Sequence, residues 1–426
     1  MDATSTTSAA STGALGIPLD VFGQATFLQI YTQLCLAYPV ADPASHTTII
    51  STLQKGLERL SKSFPWTAGQ VINERASGDN TGVFKIKSFQ RSATLVVNDL
   101  SNDSSIPTMD VLKKANFPMS LLDESIIAPR RTLPGSPDEA GLPSPVLMLQ
   151  ATFIARGLLL TIISQHATMD IIGQGQLMGL LSKACHDEPF TEEEIRAGNL
   201  DRRNLIPLLE DYQPGPEISH LIIKTPPTTI GSLASLKSLA TATKPPSVPF
   251  ISTDDALCAL TWQAVTRARL PRLTPNTKPT FGRALDARPY MDTIPDTYAG
   301  LIFSCVSTSP LGITSANLRT TLHPEVSNTQ HIVRATATVL SRSADRDLIG
   351  PTASIDTSTD ITTSSWAKIN AYSLDFNLGL GAPLAVRRPR FTPVEGLIYF
   401  LPKALDGEMG VAMCLRDEDL EQLKGR

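Results

Sequence analysis

The stretch that decides the fold is "LLLTIISQHATMDIIGQG", residues 158–175. Its apolar first half predicts a buried strand, and the segment that follows predicts a helix from Asp170 to Cys185. The run before it, "VLMLQATFI", predicts a partner strand, with Arg156 and Gly157 at the turn. His166 and Asp170 therefore lie where a strand gives way to a helix. Rigid scaffolds often present catalytic groups at such strand ends.

The spacing of His166 and Asp170 leaves several interpretations open. An imidazole titrates near working pH and can accept a proton from an alcohol, so His166 is a candidate general base. A structural histidine whose ring nitrogens are hydrogen-bonded explains the spacing equally well. Positions four apart share one helix face and could bind a metal, but no HExxH motif or local cluster supplies further ligands.

A nucleotide-binding turn is a further interpretation of the glycines in "GQGQLMG", Gly173, Gly175 and Gly179. The dinucleotide fingerprint needs GxGxxG spacing and an acid at the end of the next strand. Here the last interval is one residue too long, and no such acid follows. Small residues that let the helix pack closely explain these glycines better. The GxSxG elbow of many lipases and esterases is absent from the sequence.

Length and charge narrow the class of protein. The chain has 426 residues, more than a single core usually supports, so two domains are expected. The formal net charge is -4, and no long Lys/Arg cluster occurs, which argues against nucleic-acid binding. No stretch approaches the roughly 18 apolar residues of a membrane span, so no membrane partner is expected.

The cysteines and the first residues favour a cytoplasmic protein. The five cysteines are widely spaced and contain no CxxC, which favours buried reduced thiols over a disulfide framework or a zinc site. Residues 1–16 are small and polar, without the basic start and apolar centre of a signal peptide, and predict a disordered tail.

Helical and strand patterns alternate in both halves, which predicts an α/β fold with two comparable domains. Helices are predicted for "TTIISTLQKGLERLSKSFP", for "TEEEIRAG" and for "STDDALCALTWQAVTRAR", the last capped by Ser252 or Thr253. Strands are predicted for "VFKIKSF", "ATLVVNDL", "TFGRALDA", "LIFSCVSTS", "LIYFLPK" and "GVAMCL". Residues 117–145 are rich in proline and turn residues and predict a long surface excursion.

Ordered blocks along nearly the whole chain resemble the BAHD acyltransferases, and more closely their fungal branch that includes the trichothecene 3-O-acetyltransferases. "QHATMD" matches the HxxxD motif, with Ile171 where many members have glycine. "SWAKINAYSLDFNLGLGAPLAVRRPRF" matches the second signature, commonly DFGWG. The other similar blocks are "GIPLDVFGQ", "LQKGLERLSKSFPWTAGQV", "FPMSLLDESIIAPRRTLPG", "STDDALCALTWQAVTRAR" and "ALDARPYMDTIPDTYAG".

The resemblance implies a specific architecture. It consists of two similar-sized, chloramphenicol-acetyltransferase-like domains, each a mixed sheet flanked by helices, with an active-site channel between them. The tail 1–16 precedes an N-terminal domain, 17–188, that carries HxxxD. A crossover linker, 189–249, leads to the C-terminal domain, 250–426, that carries the second signature.

The resemblance also implies an activity. The chain would be an O-acyltransferase that uses acyl-CoA, in this branch acetyl-CoA, as co-substrate and holds no permanent cofactor or metal. Its partner would be a small alcohol, a hydroxyl-bearing fungal secondary metabolite such as a terpenoid, alkaloid or polyketide. His166 would take the hydroxyl proton during attack on the thioester, without a covalent acyl-enzyme, and the protein would work as a monomer.

Supporting roles follow for other residues. Asp170 would face away from the substrate and pair with Arg288 of "LDARPY", which would join the domains and fix the loop of His166. In the second signature Asp375 and Gly379 match, whereas Asn377 and Leu378 replace the common Gly-Trp. If the common tryptophan assists the intermediate, that help is missing. A structural turn that orders the channel wall is the better interpretation.

Candidate contacts for the CoA phosphates are Lys237, Ser252, Thr253 and Arg387, with Arg388 beside it. Each has an ordinary structural explanation: an exposed lysine, a helix cap or a solvated pair of arginines. Two other functions stay open at this stage. One is a related HxxxD enzyme that takes its acyl group from a carrier protein, and the other is a catalytically silent binding module of the same fold.

Overall fold

The computed structural model describes residues 16–133, 141–222, 250–274, 276–308, 315–323, 328–350 and 353–424, without the side chains of 305–308. The strands are β1 Gly16–Pro18, β2 Tyr31–Pro39, β3 Gly69–Glu74, β4 Val83–Ser88, β5 Thr94–Asp99, β6 Ser144–Pro145, β7 Leu147–Ile154, β8 Gly157–Gln165, β9 Phe281–Asp286, β10 Phe303–Thr308, β11 Ile361–Ser365, β12 Ala385–Arg387, β13 Leu397–Lys403 and β14 Met409–Met413. The helices are α1 His46–Ser63, α2 Met109–Lys114, α3 Glu124–Ile127, α4 Ile171–Cys185, α5 Glu192–Gly198, α6 Thr253–Arg269, α7 Ser315–Thr320, α8 Thr329–Arg342 and α9 Asp417–Lys424.

The sheet that carries the HxxxD stretch has five strands in the order β12-β2-β8-β7-β5. The predicted hairpin is present as β7 and β8, and every residue of both strands is buried. A strand buried on both faces needs a continuous apolar run, which explains the composition of residues 158–163. β5 pairs parallel to β7, whereas β2 is antiparallel to both β8 and β12, so the sheet is mixed.

The predicted first long helix, α1, packs against α4, the helix that follows the HxxxD turn. Its buried stripe is Ile49, Leu53, Leu57 and Leu60, the spacing of one helix face. Gly56 allows the close approach, because a Cβ there would lie 2.4 Å from the sulfur of Cys185. Helices α1 and α4 thus form a closely packed pair in the first half of the chain.

The second half builds its own five-stranded sheet in the order β10-β9-β11-β13-β14. β11 runs parallel to both neighbours and the outer pairs are antiparallel, so this sheet is also mixed. Helix α6 begins with a capping box in which Ser252 and Asp255 satisfy each other's backbone amides. The prediction of an α/β fold with mixed sheets and flanking helices is confirmed.

One strand of the second half completes the sheet of the first half. β12 comes from the second half of the chain, yet Val386 pairs with Leu36 of β2 and so completes the first sheet. A four-stranded antiparallel sheet, β1-β4-β3-β6, lies beside it. The largest apolar cluster contains residues of both halves, among them Leu160 and Val333. The exact domain boundaries stay a prediction.

The surface excursion predicted for 117–145 is wrong in part. Leu122, Glu124 and Ile127 are buried, at 1%, 5% and 3% exposure. The Glu124 carboxylate explains the burial, because it accepts hydrogen bonds from Gln33 Nε2 at 3.0 Å and from the Thr132 amide at 2.7 Å. A polar anchor thus holds this segment against β2.

Four described cysteines, Cys35, Cys185, Cys258 and Cys414, are buried and free, as the sequence predicts. Burial raises the pKa of the Cys35 and Cys185 thiols to about 12, so they are inert at neutral pH. Of the helices in the described ranges, none is both long and apolar enough to cross a membrane.

Candidate active site

His166 stands at the point where β8 ends, as the first residue of a short 3-10 turn, His166–Thr168. Its backbone amide donates to the Ile30 carbonyl at 2.7 Å, which ties the turn to the segment before β2. The Gln165 side chain accepts from the Ala167 amide at 2.7 Å, and the Thr168 hydroxyl donates to the Gln165 carbonyl at 2.6 Å. The backbone that carries the imidazole is therefore fixed on several sides.

Gly23 lets a neighbouring turn, Phe22–Gln24, lie directly against the His166 turn. A Cβ at Gly23 would lie 2.2 Å from the Ala167 carbonyl oxygen, a backbone atom that cannot rotate away. The close packing of the two turns therefore requires glycine at position 23.

Gly23→Ala is expected to displace the His166 turn and lower kcat by about 10–100-fold, because sub-ångström misplacement of a catalytic group is costly. The matched control is Gly179→Ala in α4, where no atom of a described residue lies within 4 Å of a Cβ. That change should leave kcat unaltered and stabilise the protein by about 0.4–1 kcal/mol. Steady-state kinetics and thermal melts of both variants test this, and normal turnover in Gly23→Ala would contradict it.

Asp170 forms the ion pair that the resemblance implied. Its carboxylate lies 2.9 Å from Nη2 of Arg288 and also accepts from the Ile302 amide at 3.0 Å. Arg288 is 1% exposed and donates further to Asp286 at 2.8 Å and to the Gly300 carbonyl at 2.6 Å. Both carboxylate oxygens of Asp170 thus bond to protein groups, which suits an anchor.

The same aspartate caps helix α4, because its Oδ1 accepts from the Gly173 amide at 2.8 Å. A phosphate at this helix start would need that amide, so the nucleotide-turn interpretation fails. The packing interpretation of the glycines holds at Gly173, where a Cβ would lie 2.4 Å from the Ala299 carbonyl oxygen. It finds no support at Gly179, where a Cβ would meet none of the residues that the structure describes.

A second buried ion pair also holds the turn, at Thr168, and the sequence did not predict it. Arg202 donates through Nη1 to the Thr168 carbonyl at 2.6 Å and to Asp20 at 2.8 Å. Asp20 also accepts from the Tyr298 hydroxyl and from the Leu301 amide. The only sequence signal was the position of Asp20 within the opening block "GIPLDVFGQ".

The surroundings of His166 keep its ring neutral. Burial lowers the pKa of the imidazole below its ordinary value of 6.5, and the charge of Arg388 acts in the same direction. The backbone at His166 and Met169 and the charge of Asp170 favour the protonated ring but do not outweigh burial. Nδ1 is buried without a hydrogen-bond partner among the described residues. A neutral imidazole is the form that accepts a proton.

This direction predicts the pH profile of kcat/KM. Protonated His166 cannot act as a base, so kcat/KM should rise with pH through the lowered pKa, with an inflection below 6.5, and stay level above about pH 7. Initial rates between pH 5 and 8 at subsaturating acceptor measure this. An inflection above about pH 7 would contradict the account.

The second signature lies at the far end of α4 from His166. The Asp375 carbonyl accepts from Nε2 of His186 at 3.0 Å, and Asn377 donates to the Cys185 carbonyl at 3.1 Å. Since α4 has 15 residues, this loop is separated from the His166 turn by about 22 Å of helix. That distance supports the structural interpretation of the loop.

Asn377 has a left-handed backbone, φ 55°, as does Gly379 at 71°. Asparagine tolerates this conformation better than most residues, which explains how it can replace the common glycine. The roles of Asp375 and Gly379 as structural support stay a prediction that this geometry favours.

The predicted CoA contacts have structural roles where the structure describes them. Lys237 lies outside the described residues. Ser252 uses its hydroxyl in the α6 cap, and Thr253 is the first residue of that helix. Arg387 donates to the Phe117 carbonyl at 3.3 Å and to the Tyr372 hydroxyl at 3.0 Å. A role in CoA binding for these residues stays a prediction.

Arg388 is not part of a solvated pair, because it is only 2% exposed. Its guanidinium carbon lies 4.0 Å from the ring centre of Phe391, 4.6 Å from that of Tyr399 and 5.4 Å from that of Trp366. Sequence alone gave no sign of this aromatic enclosure.

A small apolar cavity lies beside the turn Phe22–Gln24. Most of its lining is aliphatic or aromatic, with Ser304 and Thr336 as its hydroxyl groups. Phe22, Leu28 and Phe303 line it from the first turns and from β10. Its volume is only about 30 Å³, well below that of an ordinary ligand pocket, so it does not mark the acceptor site.

Two protein-family models match this chain. The model of the trichothecene 3-O-acetyltransferase-like N-terminal domain matches residues 30–185, and that of the Transferase family matches residues 132–426. The O-acetyltransferase dmxR13 of Cryptosporiopsis sp. is 47% identical over 95% of this chain and 94% of its own. The trichothecene 3-O-acetyltransferase of Fusarium sporotrichioides is 45% identical over 98% of this chain and 96% of its own.

Solved structures are similar over the same extent. The crystal structure of TRI101 from F. sporotrichioides, complexed with coenzyme A and T-2, superposes with a TM-score of 0.91 at 45% identity, covering 96% of this chain and 97% of that one. Vinorine synthase, at 15% identity and a TM-score of 0.66 over 98% and 93% of the two chains, shares the fold.

Proposed function

The chain belongs to the Transferase family, and we propose that it is an O-acetyltransferase that moves an acetyl group from acetyl-CoA to a hydroxyl of a fungal secondary metabolite. The observation that carries the proposal is the His166 turn, which presents a neutral imidazole from a backbone braced by two buried ion pairs. Relatives with O-acetyltransferase names that match nearly the whole chain support the same reaction.

His166 acts as the general base in this proposal. The acceptor hydroxyl gives its proton to the imidazole as its oxygen attacks the thioester carbonyl. Collapse of the tetrahedral intermediate breaks the carbon–sulfur bond, and the CoA thiolate takes the proton back from the imidazolium. Thioesters are activated and thiolates leave readily, so positioning and one proton transfer suffice without a covalent acyl-enzyme.

Asp170 and Arg288 position this base without touching substrate. Their ion pair links the start of α4 to the segments around Asp286 and Gly300, and so connects the His166 turn to the second half of the chain. The Asp20 and Arg202 pair also positions the base, because Arg202 holds the Thr168 carbonyl of the same turn. Acetyl-CoA is a co-substrate and no permanent cofactor is proposed.

The acceptor class rests on the relatives, whose names are O-acetyltransferase and trichothecene 3-O-acetyltransferase. The F. sporotrichioides structure contains T-2 together with coenzyme A, which supports a ternary arrangement of donor and acceptor. We propose a terpenoid, alkaloid or polyketide alcohol as the acceptor.

Release of free thiol from acetyl-CoA tests the proposal. The assay uses a panel of terpenoid, alkaloid and polyketide alcohols, each paired with its deoxy analogue as a matched control. Thiol release that depends on the hydroxyl is expected with at least one member. Binding of acetyl-CoA without release for any member would favour a silent binding module, and release only from an acylated carrier protein would favour the alternative donor.

Two further properties belong to the proposal. The buried free thiols of the described cysteines support a reducing, cytoplasmic compartment. The monomeric state stays a prediction, which the hydrodynamic mass of the purified protein tests directly.

A further inference from the structure

Arg388 differs from the other buried arginines of the described chain. Arg202, Arg269, Arg283 and Arg288 each form an ion pair with an aspartate or glutamate. Arg388 is buried as completely, yet it has no carboxylate partner among the residues that the structure describes. A buried charge without a counter-ion is destabilising, so such a site is suited to an anion that arrives from outside the protein.

The contacts of the Arg388 guanidinium leave donors unused. Nη2 donates to the Thr132 hydroxyl at 3.1 Å, and Nε is buried with no hydrogen-bond partner in the described part of the chain. The rings of Phe391, Tyr399 and Trp366 enclose the cation and replace part of its lost hydration. Aromatic rings stabilise the positive charge of the guanidinium but accept no strong hydrogen bonds from its N–H groups. The cation is therefore held in place while N–H groups of Arg388 stay available as donors.

The position of Arg388 brings this capacity close to His166. Thr132, its hydrogen-bond partner, accepts the Tyr31 amide through its carbonyl at 3.0 Å. The next residue back, Ile30, accepts the His166 amide at 2.7 Å. Arg388 and His166 are therefore both anchored to the start of β2. The guanidinium is also close enough to lower the pKa of the imidazole.

We propose that Arg388 is a catalytic residue that stabilises the negative charge formed on the thioester carbonyl oxygen during acetyl transfer. As the acceptor oxygen bonds to the carbonyl carbon, the electrons of the C=O π bond move onto the oxygen. That oxyanion receives hydrogen bonds from the guanidinium. When the carbonyl re-forms and the carbon–sulfur bond breaks, the charge leaves with the CoA thiolate, which takes its proton from His166. This inference rests on the proposed function.

Two features favour the thioester oxygen over the CoA phosphates as the anion. The phosphates are at the opposite end of CoA from its sulfur, whereas Arg388 and the base are both anchored to the start of β2. An apolar enclosure also strengthens the interaction of a fixed cation with charge that develops only in the transition state. The same charge disfavours an imidazolium at His166 until the oxyanion has formed to balance it.

Arg388→Met, which keeps the apolar contacts and removes the charge, tests the assignment. The expected result is a fall in kcat of about 10²–10³-fold, the range for loss of an oxyanion donor. The KM values for acetyl-CoA and acceptor should change little. Arg388→Lys should recover part of kcat, because it keeps the charge but not the guanidinium geometry.

Thr132→Val provides a second test that does not remove the cation. It deletes the hydroxyl that orients Nη2, so kcat should fall by about tenfold with KM unchanged. If Arg388→Met does not fold, this variant decides, and an unaltered kcat overturns the assignment. A loss of Arg388→Met activity that appears in KM for acetyl-CoA or acceptor also overturns it, because that result indicates a binding contact. Absence of turnover in the wild type overturns the proposed function itself.

Discussion

Replacing His166 by alanine is expected to lower kcat/KM for acetyl transfer by about 10²–10⁴-fold while the protein stays folded. The imidazole is the only group in this account that accepts the acceptor proton. Nδ1 of its ring has no hydrogen-bond partner among the described residues, and the bonds that fix this segment come from its backbone and from Gln165 and Thr168. Thiol-release kinetics and a thermal melt of the same preparation measure both properties.

The matched control for that variant is His331→Ala. His331 is a half-exposed histidine on α8 that faces Glu217, far along the chain from the turn. Its removal should leave both kcat/KM and the melting temperature near those of the wild type. A His166→Ala protein that retains wild-type turnover would overturn the assignment of the base.

Replacing Asp170 by alanine is expected to lower the free energy of unfolding by about 3–5 kcal/mol, because it leaves Arg288 buried with less compensation. The helix cap at Gly173 and the bond to the Ile302 amide are lost as well. Activity should fall together with stability, since the His166 turn loses its anchor. Chemical denaturation and kinetics on the same samples test the coupling.

Asp286→Asn is the matched control for Asp170. It alters the other carboxylate on Arg288, at 2.8 Å from Nη1, and makes no contact with the helix cap. The loss of stability should be smaller, because Asp286 is more exposed than Asp170 and Arg288 keeps its principal partner. A well-folded Asp170→Ala protein with near-normal turnover would contradict the anchoring role.

Local patterns in the sequence predicted the helices and strands that have a regular apolar pattern or a capping motif. The stripe of α1, the hairpin of β7 and β8 and the capped start of α6 all follow from periodicity and capping rules. β2 was missed, because its first residues include Thr32 and Gln33 and only residues 34–38 form a short apolar run. β12 was missed because three residues after a turn-rich loop carry no pattern, and only pairing with β2 defines them.

The candidate site divides in the same way. The HxxxD motif and its ordered neighbouring blocks identified His166, and the resemblance supplied Arg288, which lies 118 positions from Asp170 along the chain. The buried state of Arg388 could not be predicted, because its enclosure needs Thr132, Trp366 and Tyr399 to meet in space. Such contacts depend on how the two halves pack, which no local pattern records.

Transfer of a radiolabelled acetyl carbon tests the central claim most directly. The purified chain is incubated with acetyl-labelled acetyl-CoA and a responsive polycyclic alcohol, and the label in the alcohol and in the protein is measured over time, with His166→Ala alongside. The account predicts that label passes to the hydroxyl with matching release of thiol, that none accumulates on the protein, and that His166→Ala transfers at least about 100-fold more slowly. Label held covalently by the protein, or equal transfer by His166→Ala, would contradict it.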